Sequence, residues 1–114
     1  KPWSELFFDG SITKPLAEAE AEPYTTALEM VRLAPSASNK QPWRLIKDEK
    51  GLHFYICRTK GYGVPRYDVQ LNDLGIAKCH FELCAKELRL AGECQKFEKV
   101  VSVASWEYVC SWII

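Results

Sequence analysis

The sequence predicts an α+β domain in which a mainly antiparallel sheet packs against one long helix. Two segments with strand periodicity flank a short charged turn, and a later, longer segment has helical periodicity. A length of 114 residues corresponds most simply to one domain. A hydrophobic content of 47% and a charged content of 26% are typical of chains that bury a core.

Charge and composition exclude several classes of partner. The formal net charge is zero and like charges are not clustered, so neither nucleic acid nor a membrane surface is an expected partner. No apolar run approaches the length of a membrane span, and no signal peptide opens the chain. An odd number of cysteines without a secretory signal predicts reduced thiols in the cytoplasm, packed as small hydrophobic residues: Cys57, Cys79, Cys84, Cys94 and Cys110.

Residues 1–21 are predicted to be a connector, with the domain itself in residues 22–114. The chain does not begin with Met and ends in an apolar run, which favours a piece of a longer polypeptide. The Ala/Glu-rich repeat at 17–22 is expected to be mobile. An apolar cluster near the start is expected to be exposed and to dock on a partner surface; its members are Trp3, Leu6, Phe7 and Phe8.

The first helix is predicted from about Pro23 to Leu33. Proline suits the first helical turn, because its missing N–H would lack a partner there in any case. Pro35 ends the helix. Apolar residues at three-four spacing define one buried face, made of Tyr24, Ala27, Leu28, Val31 and Ala34.

Residues 43–47 and 52–58 predict an antiparallel hairpin around the turn at 48–51, which is charged and ends in glycine. In the second strand, alternate side chains fall on opposite faces, with Leu52, Phe54 and Ile56 on one face and His53, Tyr55 and Cys57 on the other.

The longest element is predicted to be a helix from about Val69 to Leu90, with Asp68 as its N-cap and Gly92 at its C-terminal end. Segments 94–103 and 106–114 are predicted to be extended. The helix has two apolar stripes, which predict burial over much of its circumference, as in a central helix or one at a subunit interface. One stripe contains Leu74, Ala77, Phe81, Cys84 and Leu88, and the other contains Ile76, Leu83 and Leu90.

Neither a metal site nor a catalytic side chain is predicted. His80 and Cys84 lie one helical turn apart, but Cys79 points to another side of the helix and no CxxC pair is present. The sequence lacks the G-x-S-x-G motif of a nucleophile elbow. The glycines of the segment 61–63 lack the strand, third glycine and helix of a dinucleotide-binding motif.

The segment 34-APSASNKQPWR-44, here called the polar loop, is the strongest candidate for a binding site. Its short polar side chains are Ser36, Ser38, Asn39 and Gln41, which donate and accept hydrogen bonds without charge. Such groups suit a planar ligand with a mixed polar edge. The alternative is that they cap the preceding helix and stabilise a turn, with Asn39 bonding its own backbone.

Residues 32–44 resemble the A-P-S-x-x-N-x-Q-P-W segment of the nitroreductase family of flavin enzymes. Residues 72–83 resemble the D-x-G-x-A stretch that opens the central helix of that family. The chain is most similar to the C-terminal half of those members in which two nitroreductase-like halves lie in one polypeptide.

The resemblance implies an α+β sandwich and an oxidoreductase that uses FMN to pass hydride from NAD(P)H to a nitro or quinone-like acceptor. FMN would carry the chemistry, so no catalytic side chain is required. The flavin site would form between two halves or two subunits, which makes the N-terminal half or a homodimer the expected partner. The residues that match the flavin-lining segment are Pro35, Ser36, Ala37, Asn39 and Gln41.

Three departures from the family pattern leave a second function open. The R-R-S-x-R segment that holds the FMN phosphate is absent, and so is the glycine-rich segment that follows the central helix. Ala37 stands where many members have serine. The alternative is a non-catalytic interaction module that kept the fold and lost the flavin.

Overall fold

A computed structural model of the chain describes residues 1–59, 68–97, 100, 102–103 and 105–113. These residues form a five-stranded mixed sheet in the order β1-β2-β3-β5-β4, together with two helices. The strands are β1 (Phe7–Asp9), β2 (Trp43–Lys47), β3 (Gly51–Ile56), β4 (Glu93–Gln95) and β5 (Glu107–Ile113), and the helices are α1 (Thr25–Leu33) and α2 (Val69–Glu87). Strands β1 and β2 are parallel, and the other neighbouring strands are antiparallel. The predicted α+β class is therefore confirmed.

Strands β2 and β3 form the predicted hairpin, in a register that pairs Trp43 with Ile56 and Lys47 with Leu52. The Asp48 side chain closes the turn, because its Oδ1 accepts from the backbone nitrogens of Lys50 and Gly51 at 2.8 and 3.3 Å. Side-chain oxygens that bond the backbone two residues on are a common way to fix such turns.

Strand β3 lies in the middle of the sheet and is buried on both faces. Helices α1 and α2 cover one face, where Phe54 packs edge-on against Phe81 with ring centroids 5.7 Å apart. A smaller cluster covers the other face, where the Tyr55 ring lies 5.9 Å from that of Trp106. Both faces of β3 are therefore buried, whereas Cys57, just beyond the strand, is half-buried.

The prediction that the N-terminal apolar cluster is exposed is wrong. Leu6 and Phe7 are fully buried, and Phe7 pairs with Leu45 in the parallel ladder between β1 and β2. Trp3 packs edge-on against Phe7 at 4.6 Å, and its indole nitrogen donates to the carbonyl of Leu16 at 2.5 Å. The cluster docks on this chain's own sheet. The boundary at residue 21 stays a prediction.

Two other predictions for the N-terminal region concern the Ala/Glu-rich repeat and the bounds of the first helix. The Ala/Glu-rich repeat forms a short 3-10 helix at Glu18–Ala21. Helix α1 begins at Thr25 and not at Pro23. It ends at Leu33 as predicted, since Ala34 is extended and a residue before proline disfavours helical geometry.

Helix α2 begins where the sequence predicts, because the Asp68 side chain accepts from the backbone nitrogen of Leu71 at 3.0 Å. It ends at Glu87, where Arg89 takes the left-handed conformation (φ +57°) and the Leu90 nitrogen bonds the Ala85 carbonyl at 2.9 Å. Gly92 therefore does not end the helix. Its role is packing, since a Cβ on Gly92 would lie 2.4 Å from Nε1 of Trp112.

The two stripes of α2 differ in burial. From the first stripe, Leu74, Ala77 and Phe81 enter the core, whereas Leu88 is 45% exposed. From the second stripe, Leu83 is 62% exposed. Among the described residues, α2 is therefore buried on one side only, and burial over most of its circumference is not observed there. Within the described part of the chain, neither helix has the length and apolar character needed to cross a membrane.

Candidate functional site

The polar loop connects α1 to β2 and lies against α2. Residues Ala37–Asn39 form a single 3-10 turn. The backbone N–H of Ala37 donates to the Asp73 carboxylate, with both oxygens 3.2 Å from the nitrogen. Asp73 is only 2% exposed, so this interaction is shielded from water. The first turns of α2 therefore fix the position of the loop.

Three non-glycine residues of the loop take a left-handed backbone: Ser38 (φ +51°), Asn39 (φ +52°) and Gln41 (φ +46°). Asparagine tolerates this region, but serine and glutamine rarely adopt it. Such residues persist only where surrounding interactions hold them, and they are concentrated at functional sites. The loop thus has a defined, strained conformation.

Gln41 and Ser36 supply the interactions that hold this conformation. The buried Gln41 side chain donates from Nε2 to the carbonyl of Arg32 at 2.9 Å, and the backbone nitrogen of Lys1 lies 2.5 Å from its Oε1. The Gln41 backbone N–H donates to Ser36 Oγ at 2.9 Å. Gln41 thereby satisfies one of the carbonyls left open at the end of α1. For these two residues the structural alternative has direct support.

Asn39 is placed differently from Gln41. It is exposed, and its side chain makes no hydrogen bond to any residue in the described ranges, its own backbone included. Pro35 is also exposed, and Ala37 is half-buried beside them. The loop therefore presents one uncommitted amide next to a small apolar surface, while Ser36 keeps its hydroxyl proton for donation.

Arg44 closes the far end of the loop. Its Nη1 donates to the carbonyls of Gln41 and Trp43 at 2.8 and 2.7 Å. Burial lowers the pKa of the Arg44 guanidinium, opposed by the negative charge of Glu5 nearby. Arg44 thus holds backbone carbonyls of the loop, and sequence reasoning assigned it no role.

Asp73 is the other residue that sequence reasoning left without a role. The acidic position of the D-x-G-x-A stretch is the signal that could have found it. A buried carboxylate on a helix needs donors, and the polar loop is the neighbouring segment that can supply an N–H.

The contacts of His53 with Ser111 and Asp48 are structural. His53 Nδ1 lies 2.6 Å from Ser111 Oγ, and its Nε2 lies 2.8 Å from Asp48 Oδ1. Both His53 and Ser111 are fully buried, so no substrate reaches the hydroxyl.

The described residues contain no group of three His, Cys, Asp or Glu side chains that could hold a metal ion. The segment 61–63 lies outside the described residues.

The fold and the loop define an α+β domain with a polar loop anchored to its long helix, and comparison with known families identifies its class. The model of the family described as "Putative TM nitroreductase" matches residues 11–85, well over half of the chain. That range includes the polar loop and most of α2. The chain belongs to this family and is a nitroreductase-type domain. Searches of curated proteins and of solved structures found no match.

Proposed function

We propose that the chain is part of an FMN-dependent oxidoreductase that passes hydride from NAD(P)H to a nitro or quinone-like acceptor. The observation that carries the proposal is the strained polar loop, which is fixed to α2 by Asp73 and presents Asn39 without a partner among the described residues. Family membership supports flavin as the class of cofactor, since nitroreductases generally use it. FMN, when bound, supplies the hydride chemistry.

The residues of this chain bind and orient the flavin. The Asn39 amide offers both a donor and an acceptor to the edge of a planar ring, and the Ser36 hydroxyl offers a donor. Ala37 and Pro35 supply the small apolar surface beside them. Gln41 acts indirectly, because its amide already holds the end of α1. This arrangement fits a neutral, planar heterocycle with mixed polar groups.

The phosphate of FMN requires a partner. Phosphate is held best by charge-assisted bonds to arginine, and the sequence lacks the R-R-S-x-R segment of the family. We therefore propose that the missing part of the site comes from an N-terminal half or a second subunit, in a cytoplasmic enzyme.

The surface for that partner is the uncovered side of α2. A groove of about 630 Å³ follows it near Leu71 and Ile76, and another of about 570 Å³ lies near Met30 and Leu83. Apolar surface of this kind marks interaction sites. Covering it would place α2 at the centre of a two-sided sandwich.

The second candidate is an interaction module that has lost the flavin. The use of Ser36 Oγ and both polar atoms of Gln41 within the chain favours it. Purification of the natural polypeptide from its own initiating Met, followed by anaerobic addition of NADPH or NADH, separates the two. If the chain is part of an enzyme, the purified polypeptide contains FMN, and its yellow absorbance bleaches with at least one of the two reductants. The module shows neither flavin nor NAD(P)H oxidation.

A further inference from the structure

Cys94 and Cys110 lie on neighbouring strands at the edge of the sheet. In the register of β4 and β5, Cys94 is opposite Trp112, and Cys110 lies two residues before Trp112. Because side chains alternate along a strand, Cys94 and Cys110 point to the same face. Both are half-buried and pack against the main core. The two thiols are therefore diagonal neighbours beneath α2.

Two charged groups on α2 complete the cluster. The Cys94 thiol donates to Glu82 Oε1 at 3.0 Å. Lys78, one helical turn earlier, places its Nζ 3.4 Å from the same oxygen. A lysine beside a thiol favours the thiolate, which is the nucleophilic form. A carboxylate beside a thiol favours the protonated form.

The pKa values of the two thiols are shifted in opposite directions. Contact with Cys94, aided by the charge of Lys78, lowers the pKa of Cys110 despite its burial. The same contact with Cys110 raises the pKa of Cys94, as do burial and Glu82. Because Glu82 accepts the Cys94 proton, Cys110 is the easier of the two thiols to ionise.

We propose that Cys94 and Cys110 form a redox site, which a low-molecular-weight disulfide such as oxidised glutathione converts to an intrachain disulfide. The Cys110 thiolate attacks one sulfur of the small disulfide, forming a mixed disulfide and releasing one small thiol. Cys94 then gives up its proton and attacks the Cys110 sulfur, which releases the second small thiol. Two protein thiols lose two electrons and two protons, and one small disulfide becomes two thiols. This proposal is independent of flavin binding.

The position of the pair makes the disulfide easy to reduce again. Diagonal neighbours on antiparallel strands are farther apart than directly opposite residues, so bridging requires a shift of one strand. Strand β4 can shift because it is three residues long and lies at the sheet edge. Disulfides under strain are more readily reduced and are the regulatory kind.

Incubation of the chain with oxidised glutathione, followed by peptide mapping without reduction, tests the proposal. The expected product is a single Cys94–Cys110 disulfide that reduced glutathione reverses, while Cys57, Cys79 and Cys84 remain thiols. If exposure alone decided which thiol reacts, oxidised glutathione would modify Cys79, because Cys79 is the exposed cysteine. Glutathione on Cys79 with no Cys94–Cys110 bridge would overturn the proposal.

Single substitutions assign the two roles. C94S should stop the reaction at a mixed disulfide on Cys110, and C110S should abolish both products. C79S is the matched control on α2 and should oxidise like the parent chain. If C94S gives no mixed disulfide on Cys110 while the parent chain forms the bridge, the assigned order of attack is wrong.

Discussion

The buried carboxylate of Asp73 holds the backbone N–H of Ala37, with both oxygens 3.2 Å from the nitrogen. This contact joins the two segments that resemble family motifs, one in the polar loop and one in α2. The first motif can present Asn39 in a fixed position because the second motif anchors it.

Replacing Asp73 should therefore destabilise the chain. D73A leaves the Ala37 N–H without its acceptor, and hydrogen bonds to charged groups contribute about 1.5–3 kcal/mol. We expect the free energy of unfolding in urea to fall by about 2 kcal/mol. N72A, at the exposed neighbouring position, should change it by less than about 0.5 kcal/mol. Equal effects of the two substitutions would show that the contact does not hold the loop.

Two glycines should respond in opposite directions to alanine. At Gly92 (φ +150°), a Cβ would lie 2.4 Å from Nε1 of Trp112, and at Gly75 it would meet nothing within 4 Å. We expect G92A to lower the free energy of unfolding by more than about 1 kcal/mol, through overpacking and backbone strain. G75A should raise it by up to about 1 kcal/mol, because alanine favours helix. Thermal unfolding followed by circular dichroism measures both, and a stable G92A variant would contradict the packing at Trp112.

The decrease in the free energy of unfolding at low pH should depend on Asp68. Hydrogen bonding from Arg58, aided by the Leu71 N–H, lowers the pKa of Asp68 from its ordinary value of 3.8 to about 2. A carboxyl with a depressed pKa in the folded state stabilises the protein fully above its unfolded value, and that contribution is lost as pH falls from about 4 to about 2. D68N keeps a good N-cap but loses the charge. Urea unfolding at several pH values should show a flatter acid limb for D68N, and an unchanged slope would contradict the ion pair.

Association should depend on the uncovered side of α2. Leu83 is 62% exposed there, and we expect the chain to associate with itself or with its other half through this surface. L83K should weaken association, because it places a charge within an apolar interface. I12K changes a residue that is 45% exposed in the N-terminal turn and should leave association unchanged. Sedimentation velocity at micromolar concentration tests both, and a parent chain that is monomeric alone and with its other half would contradict the proposed interface.

Local patterns predicted the elements whose signals lie within a few residues. The hairpin around Asp48–Gly51 and the N-cap at Asp68 depend on short-range hydrogen bonds, and both are observed. Strand β1 was missed because its partner is β2, and a parallel pairing leaves no local signal. The end of α2 was missed because Arg89, and not a glycine, takes the left-handed position.

The residue types of the polar loop were enough to predict a candidate site. The backbone conformation and the contacts that hold the loop were not predicted. Serine and glutamine give no sequence signal for positive φ, so the strain at Ser38 and Gln41 could not be predicted. The difference between Gln41 and Asn39 also depends on tertiary contacts, since the Arg32 carbonyl of α1 accepts from the Gln41 amide, whereas the Asn39 amide is exposed.

The most direct test of the flavin-binding claim is FMN affinity in the natural polypeptide, with N39G compared with S38G. Both positions have nearly the same φ, +52° and +51°, so S38G controls for the backbone freedom that glycine adds, and a loss confined to N39G reports on the Asn39 amide. We expect N39G to weaken FMN binding by about tenfold, equivalent to about 1.4 kcal/mol, in a fluorescence titration. S38G should bind FMN like the parent protein. Equal affinities for N39G and S38G, or no flavin binding by the parent protein, would contradict the claim that the polar loop holds the flavin.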